Sequence, residues 1–438
     1  MSYLIAGVIW VFFYLGLVLA PLLVLLAQPE PGGSGFWWDF SLALGFAATT
    51  MMGVTFALTA RFRHATEPFG IDIVYYIHRR ILLIAVGFTT IHVALVIVED
   101  PGLLDQLVST EMPPYLMAAI ASLLSLLLLI ASSIWRSRFQ IEYDRWRLLH
   151  IVLAVVALSF SVVHIQLVGH YTNVPWKKTL WIVIPASWVL FLLYRRLVKP
   201  LLIMRRPFKV TEVRSERGNA WTLVIEPDGH AGMTFMPGQF VWLSLWHTPF
   251  ALREHPFSIA SSAEYPGKLE MTVKELGDFT RRIGQVRLGE RAYLEGPYGA
   301  FSIDRWPAPG YVLIAGGIGV APFMSILRTM ADRGDMRPVL LFYASRDWEG
   351  LTFREELETL KERMNLETVA ILEQPPENWD GESGRISMAI LERHLPKERI
   401  RRKYFVDGPV PMMESVEKSL LELGLSGSDI HVELYDFV

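Results

Sequence analysis

The sequence contains no cysteine, which excludes disulfides, thiolate metal centres, iron–sulfur clusters and a cysteine nucleophile together. It is also poor in charge. Only 19% of its 438 residues are Asp, Glu, Lys or Arg, against 52% hydrophobic: too little charge for an ordinary soluble protein of this length, and too much apolar surface for a disordered chain. A net charge of -3 leaves no basic excess with which to hold a nucleic acid. The scarcity is uneven, because just 13 of the 41 Lys and Arg and 10 of the 44 Asp and Glu lie in the first 200 residues. No basic segment precedes the first apolar run, which is also longer than the apolar core of a signal peptide, so this run is expected to stay in the protein.

What the first 200 residues do contain is six apolar stretches, at about 3–27, 37–60, 74–98, 114–134, 148–168 and 179–198, each long enough to cross a bilayer. Arginine marks alternate connections. Arg61, Arg63, Arg79 and Arg80 flank the second, Arg136, Arg138, Arg145 and Arg147 the fourth, and Arg195, Arg196 and Lys199 follow the last stretch. The first and third connections carry Glu30, Glu99, Asp100, Asp105 and Glu111 and no basic residue. The excess of basic residues predicts that both termini lie in the cytoplasm; the membrane is expected to be the plasma (inner) membrane. Lys177 and Lys178, in the fifth connection, run against the pattern.

Four of the eleven histidines fall inside these stretches, where an ionisable side chain is costly without a partner. His78 and His92 are 14 residues apart in the third, and so are His150 and His164 in the fifth. That spacing returns a helix to within roughly 40° of the same face after a rise of roughly 21 Å. Both helices run outward, so His78 is expected level with His150 and His92 level with His164. Two facing pairs of neutral imidazoles suit the axial positions of two haem irons. The alternative is histidine hydrogen-bonded between helices.

From Pro207 the texture changes to short alternating strands broken by Gly and Pro, which predicts a small antiparallel barrel. After Pro309 it becomes strand, Gly-rich turn, helix and strand: Tyr311–Ala315, Gly316-Gly317-Ile318-Gly319, Val320–Arg333, Val339–Tyr343. This is an α/β nucleotide-binding pattern. The turn brings backbone N–H groups and a helix N-terminus to a pyrophosphate, or else simply packs tightly. Its spacing is not Gly-x-Gly-x-x-Gly. Ser345 and Arg346 follow the next strand, where Arg346 either meets the 2′-phosphate of NADPH or faces solvent.

The barrel region carries His255-Pro256-Phe257-Ser258 and Lys274-Glu275-Leu276-Gly277-Asp278-Phe279-Thr280. On these motifs residues 207–438 resemble the ferredoxin-NADP reductase family. Their union with a four-histidine membrane domain resembles the NADPH oxidase and ferric reductase superfamily. The resemblance implies a six-helix transmembrane di-haem domain at 1–204, an FAD-binding β-barrel at 205–306 and an α/β NADPH-binding domain at 307–438. It implies two haem b, FAD and NADPH as cofactors. Around FAD it places Phe257 on the isoalloxazine, Ser258 at its N5 edge, His255 and Pro256 beside them, Gly277 and Thr280 at the pyrophosphate, Lys274 as a charge partner, and Phe437 as the terminal aromatic over the ring. Around NADPH it places Gly316, Gly317, Gly319, Pro322, Ser345, Arg346, Asp407, Gly408 and Pro409. Asp407 departs from the family, which has a cysteine before that Gly-Pro.

The implied activity is transfer of electrons from NADPH through FAD and two haems to an acceptor outside: O2 giving superoxide, a ferric chelate, or a periplasmic partner protein. The oxidases hold oxygen with an arginine near the start of the second helix and a second histidine one turn beyond the outer ligand. Here those places read Phe36-Trp37-Trp38-Asp39 and Val96.

Overall fold

The structure is a computed structural model and describes residues 3–27, 34–61, 71–136, 138–251, 253–396 and 401–433. It divides into two compact units, Met1–Pro200 and Leu201–Val438.

The first unit is helical. Its long helices are α1 (Tyr3–Leu25), α2 (Phe36–Thr59), α3 (Ile71–Glu99), α4 (Pro114–Ile134), α5 (Tyr143–Val168) and α6 (Pro175–Leu193), the last running on through a wide turn at Tyr194–Val198 into Lys199–Met204. All six are apolar and long enough to cross a membrane, and the chain is an integral membrane protein. α2 is the buried centre, while the others turn large apolar side chains outward, among them Leu83, Leu128 and Val163. An apolar exterior is what lipid requires. Small residues let the helices close up: a Cβ on Gly53 of α2 would lie 1.8 Å from the Trp188 ring of α6. Polar side chains then stitch the packing, as where Ser122 donates to the Ala157 carbonyl at 2.8 Å and Thr49 meets Ser161 at 2.6 Å.

Lys177, at odds with the charge pattern, is not a loop charge. It is fully buried and its Nζ donates to the Leu25 carbonyl at 2.9 Å, where the exposed carbonyls at the end of α1 favour a cation.

The second unit contains two sheets. β1 (Phe208–Glu216), β2 (Ala220–Pro227), β3 (Phe240–Leu245), β4 (His255–Ser258), β5 (Leu269–Lys274) and β6 (Arg291–Tyr298) form an antiparallel sheet in the order β4-β3-β6-β1-β2-β5. It curls around one core that includes Leu223, Leu243, Met271 and Ile283, as a half-barrel with β4 and β5 at its edges. The segment His255–Ser258 is thus itself an edge strand, paired along β3.

β7 (Gly310–Gly316), β8 (Val339–Ser345), β9 (Leu366–Leu372), β10 (Glu382–Ser383), β11 (Arg402–Asp407) and β12 (Ile430–Val432) form a parallel sheet in the order β10-β9-β8-β7-β11-β12. Every residue of β7 is buried, as expected of a central strand with both faces covered. Alternate residues serve different cores. Tyr311, Leu313 and Ala315 pack with α7 (Ala321–Asp332), α8 (Arg354–Lys361) and Phe301, whereas Val312 and Ile314 pack with α9 (Met388–His394) and α10 (Val410–Glu422).

One face of α7 joins the sheets. Ser325, Arg328 and Thr329, at helical spacing, bond to the segment 260–263 of the half-barrel: Ser325 Oγ donates to the Ser261 carbonyl, Arg328 to the Ala260 carbonyl, and Thr329 Oγ1 accepts from the Ala263 N–H.

Candidate functional site

In the membrane unit, the rings of His78 on α3 and His150 on α5 have their centroids 6.5 Å apart. Two imidazoles sharing one metal ion stand at roughly that separation, since each metal–nitrogen bond is about 2 Å and each ring adds about 1 Å. His150 Nδ1 approaches the Ser133 hydroxyl at 3.4 Å, and His78 Nδ1 is buried with no hydrogen-bond partner among the described residues.

The other two histidines are oriented from behind. His92 Nδ1 donates to the Ser41 carbonyl at 2.8 Å, and His164 Nδ1 donates to the Tyr115 carbonyl at 3.0 Å. A carbonyl oxygen only accepts, so in both rings the proton sits on Nδ1 and the lone pair is left on Nε2, as in a metal-ligating histidine. Gly45 of α2 makes room: a Cβ there would press on the His92 ring at 3.2 Å. The separation of His78 and His150 fits two imidazoles on one haem iron, and the Nδ1 bonds of His92 and His164 leave their Nε2 atoms available to a second. Ser41, Tyr115 and Gly45 carry no motif, and no pattern within α2 or α4 points to them.

In the half-barrel, Phe279 gathers the residues of the flavin motif. Its ring lies 3.9 Å from that of His255, stacks on Phe257 at 5.9 Å and 20°, and meets Trp246 edge-on at 5.3 Å. Trp246 in turn carries the Arg282 guanidinium at 4.4 Å. The two edge strands are thereby linked, since His255, Pro256, Phe257 and Ser258 lie on β4 while Lys274 ends β5. Thr280 Oγ1 accepts from the N–H groups of Leu276 and Gly277 at 2.9 Å, which holds the turn before the short 3-10 helix Thr280–Gln285. An arginine stacked beside such an aromatic platform suits a flavin with a pyrophosphate arm. Sequence reading missed Trp246 and Arg282, which belong to no motif. Phe437 lies outside the described residues.

The nucleotide residues gather at the C-terminal edge of the parallel sheet, where Gly316, Ser345 and Asp407 end three neighbouring strands. The connections leaving β7 and its neighbour β11 run in opposite directions there, toward β8 and toward β12, which makes the crevice that binds ligands in open α/β sheets. Gly317 has φ +56°, in the left-handed region. A short 3-10 turn, Gly317–Val320, leads into α7, with Pro322 in its first turn. A Cβ on Gly319 would lie 2.5 Å from the Asp407 carbonyl oxygen, and one on Gly316 2.4 Å from the Met412 sulfur, so the Gly316–Gly319 and Gly408–Pro409 loops pack backbone against backbone. Arg346 is exposed, its Nε donating to Gln374 Oε1 at 3.4 Å. Asp407 is 4% exposed. Burial pushes its carboxyl up to about 8, against the opposing pull of the Gly408 N–H.

Three family models match the chain: a ferric reductase like transmembrane component over residues 44–161, an FAD-binding domain over 207–302 and an oxidoreductase NAD-binding domain over 313–418. Sulfhydrogenase 1 subunit gamma of Pyrococcus furiosus is 32% identical over 214 residues, 48% of this chain and 71% of that protein. The glycine betaine monooxygenase reductase subunit of Chromohalobacter salexigens is 28% identical over 240 residues, 53% of this chain and 64% of that protein. Among solved structures, a cytochrome P450 reductase from Amycolatopsis aligns at a TM-score of 0.46 with 25% identity, over 52% of this chain and 69% of the other. A membrane component of ferric reductase type joined in one chain to FAD- and NAD-binding domains makes this protein an NAD(P)H-dependent oxidoreductase, and it belongs to the NADPH oxidase and ferric reductase superfamily.

Proposed function

We propose that the chain carries electrons from cytosolic NADPH through FAD and two haems b to an acceptor on the opposite side of the plasma (inner) membrane, with O2 reduced to superoxide. The reading assigns residues 1–204 to the di-haem domain, 205–306 to FAD and 307–438 to NADPH. When bound, FAD supplies the change from two-electron hydride chemistry to one-electron transfer, and the haems supply the relay across the bilayer. Balance requires one NADPH and two O2 to give NADP+, one proton and two superoxide.

The residues of the chain hold and orient. His78 with His150, and His92 with His164, hold the two irons; Ser41 and Tyr115 keep the outer pair in the ligating tautomer. His255, Pro256, Phe257, Ser258, Lys274, Gly277 and Thr280 surround the flavin. Gly316, Gly317, Gly319 and Pro322 cradle the nucleotide's pyrophosphate, and Ser345 with Arg346 reads its 2′-phosphate. Asp407, Gly408 and Pro409 lie at the nicotinamide end. The observation that carries the reading is the 6.5 Å approach of His78 and His150 within a chain that also has FAD- and NAD-binding domains.

Ferric-chelate reduction is a second reading, favoured by the exposed Glu99, Asp100, Asp105 and Glu111, whose field attracts metal-bearing acceptors. Delivery to a periplasmic partner protein is a third, and steady oxidation of NADPH in air by the isolated protein would count against it. The test compares initial NADPH oxidation in air with that under argon plus a ferric chelate, following dye reduction sensitive to superoxide dismutase. A dismutase-sensitive signal is expected. A far greater anaerobic ferric rate with no such signal would replace the oxidase reading by the reductase one.

A further inference from the structure

Asp407 is a carboxyl group in a place that offers it no counter-ion. It ends β11 level with Ala315 of β7, on the sheet face that Phe405, Phe301, Val320 and Phe323 make apolar, and no ion pair to it exists among the described residues. The end of β7 brings only Ile314, Ala315 and Gly316, and the turn into α7 only Gly317–Pro322, none of them titratable. From β12 and its end come His431 and Glu433, and from α10 the exposed Glu414. Lys403 and Arg402 stand at the far end of β11, and Lys403 is held by Asp429 at 2.7 Å. Neither hydrophobic packing nor a salt bridge accounts for an acid at the strand end that borders the ligand crevice.

We propose that Asp407 recognises the nicotinamide carboxamide, its carboxylic acid pairing with the amide through one donated and one accepted hydrogen bond. The inference rests on the NAD(P)H reading of this crevice. An acid and a primary amide are complementary in this way because each offers one donor beside one acceptor. Burial, which pushes the Asp407 carboxyl up to about 8, keeps the proton in place at neutral pH. Ionisation would remove the donor and leave a negative charge facing the amide oxygen. His431, pushed down to about 4 by burial and by nearby Lys403, stays neutral throughout that range and does not confound the titration.

The test uses the full-length protein in detergent, with FAD content per chain as the measure of folding. The dissociation constant of NADP+, and separately of NAD+, is measured calorimetrically from about pH 6 to about pH 10. In the wild type it should be flat at first and then weaken by about tenfold per pH unit above about 8. Asp407→Asn, which also offers one donor and one acceptor, should bind within about threefold of wild type at about pH 7 and stay flat across the range. Asp407→Leu should weaken binding by about tenfold or more at every pH, by leaving the amide unpaired. An infrared band of a protonated carboxylic acid should be present in the wild type and missing from Asp407→Asn. Binding by the wild type with no alkaline fall, or an Asn variant as weak as the Leu variant, overturns the proposal alone. A wild type that binds neither nucleotide at any pH overturns the nucleotide reading and the proposal with it.

Discussion

Replacing Arg328 by Met should loosen the seam between the two sheets of the second unit. Arg328 is 14% exposed; its Nη1 donates to the Ala260 carbonyl at 2.8 Å and to Glu270 at 3.1 Å, while Nε and Nη2 form a two-pronged pair with Glu356 at 2.6 and 2.7 Å. Removing one partner of a buried ion pair costs about 3–5 kcal/mol, because the other charge is left behind. Here the lower end applies. Glu270 keeps Arg214 at 3.4 Å and Lys268 at 3.5 Å, and Glu356 is 37% exposed and can turn to water. A loss of about 3 kcal/mol in a unit of this size lowers the melting temperature by about 6–10 °C, readable as the temperature at which flavin fluorescence is released. Burial opposes ionisation of Glu270, but Arg328, Arg214 and Lys268 outweigh it and hold its carboxyl below the usual range. A depressed carboxyl stabilises the fold above the unfolded glutamate value and loses that contribution as pH falls, so the gap between variant and wild type should be full at about pH 7 and shrink below about pH 4. A release temperature within about 2 °C of wild type at neutral pH would refute the reasoning.

Two further outcomes are expected. His92→Ala should lose one of two haem equivalents, measured by the pyridine haemochrome spectrum, and His164→Ala should lose the same one; two full equivalents in both variants would dismiss the pairing. Arg346→Ala should raise the KM for NADPH by more than about tenfold and leave that for NADH nearly unchanged, since one charge-assisted contact to phosphate is worth about 1.5–3 kcal/mol, and an unaltered NADPH/NADH preference would assign the phosphate to another side chain.

The periodic features of this protein are legible in the sequence because they are local. Six apolar runs of bilayer length, the 14-residue spacing of His78/His92 and His150/His164, the alternating strands after Pro207 and the Gly316–Gly319 turn each depend on residues near in sequence. The helices and strands observed follow those runs closely. Asp407 was legible as a departure from the family's pattern, but its burial without a counter-ion was not.

What the tertiary structure alone decides is the partner of each polar group. The proton on His92 Nδ1 is set by a carbonyl 51 residues away and that on His164 Nδ1 by one 49 residues away. Lys177 reads in the sequence as a charge on the wrong side of the membrane, yet it caps the end of a helix 152 residues earlier. Arg328 reads as one more helical arginine, but the packing of α7 on the half-barrel makes it a clamp. Hydropathy and spacing repeat along one element and so can be read from it, whereas hydrogen bonds and burial depend on which elements meet, and that is decided only when the chain has packed.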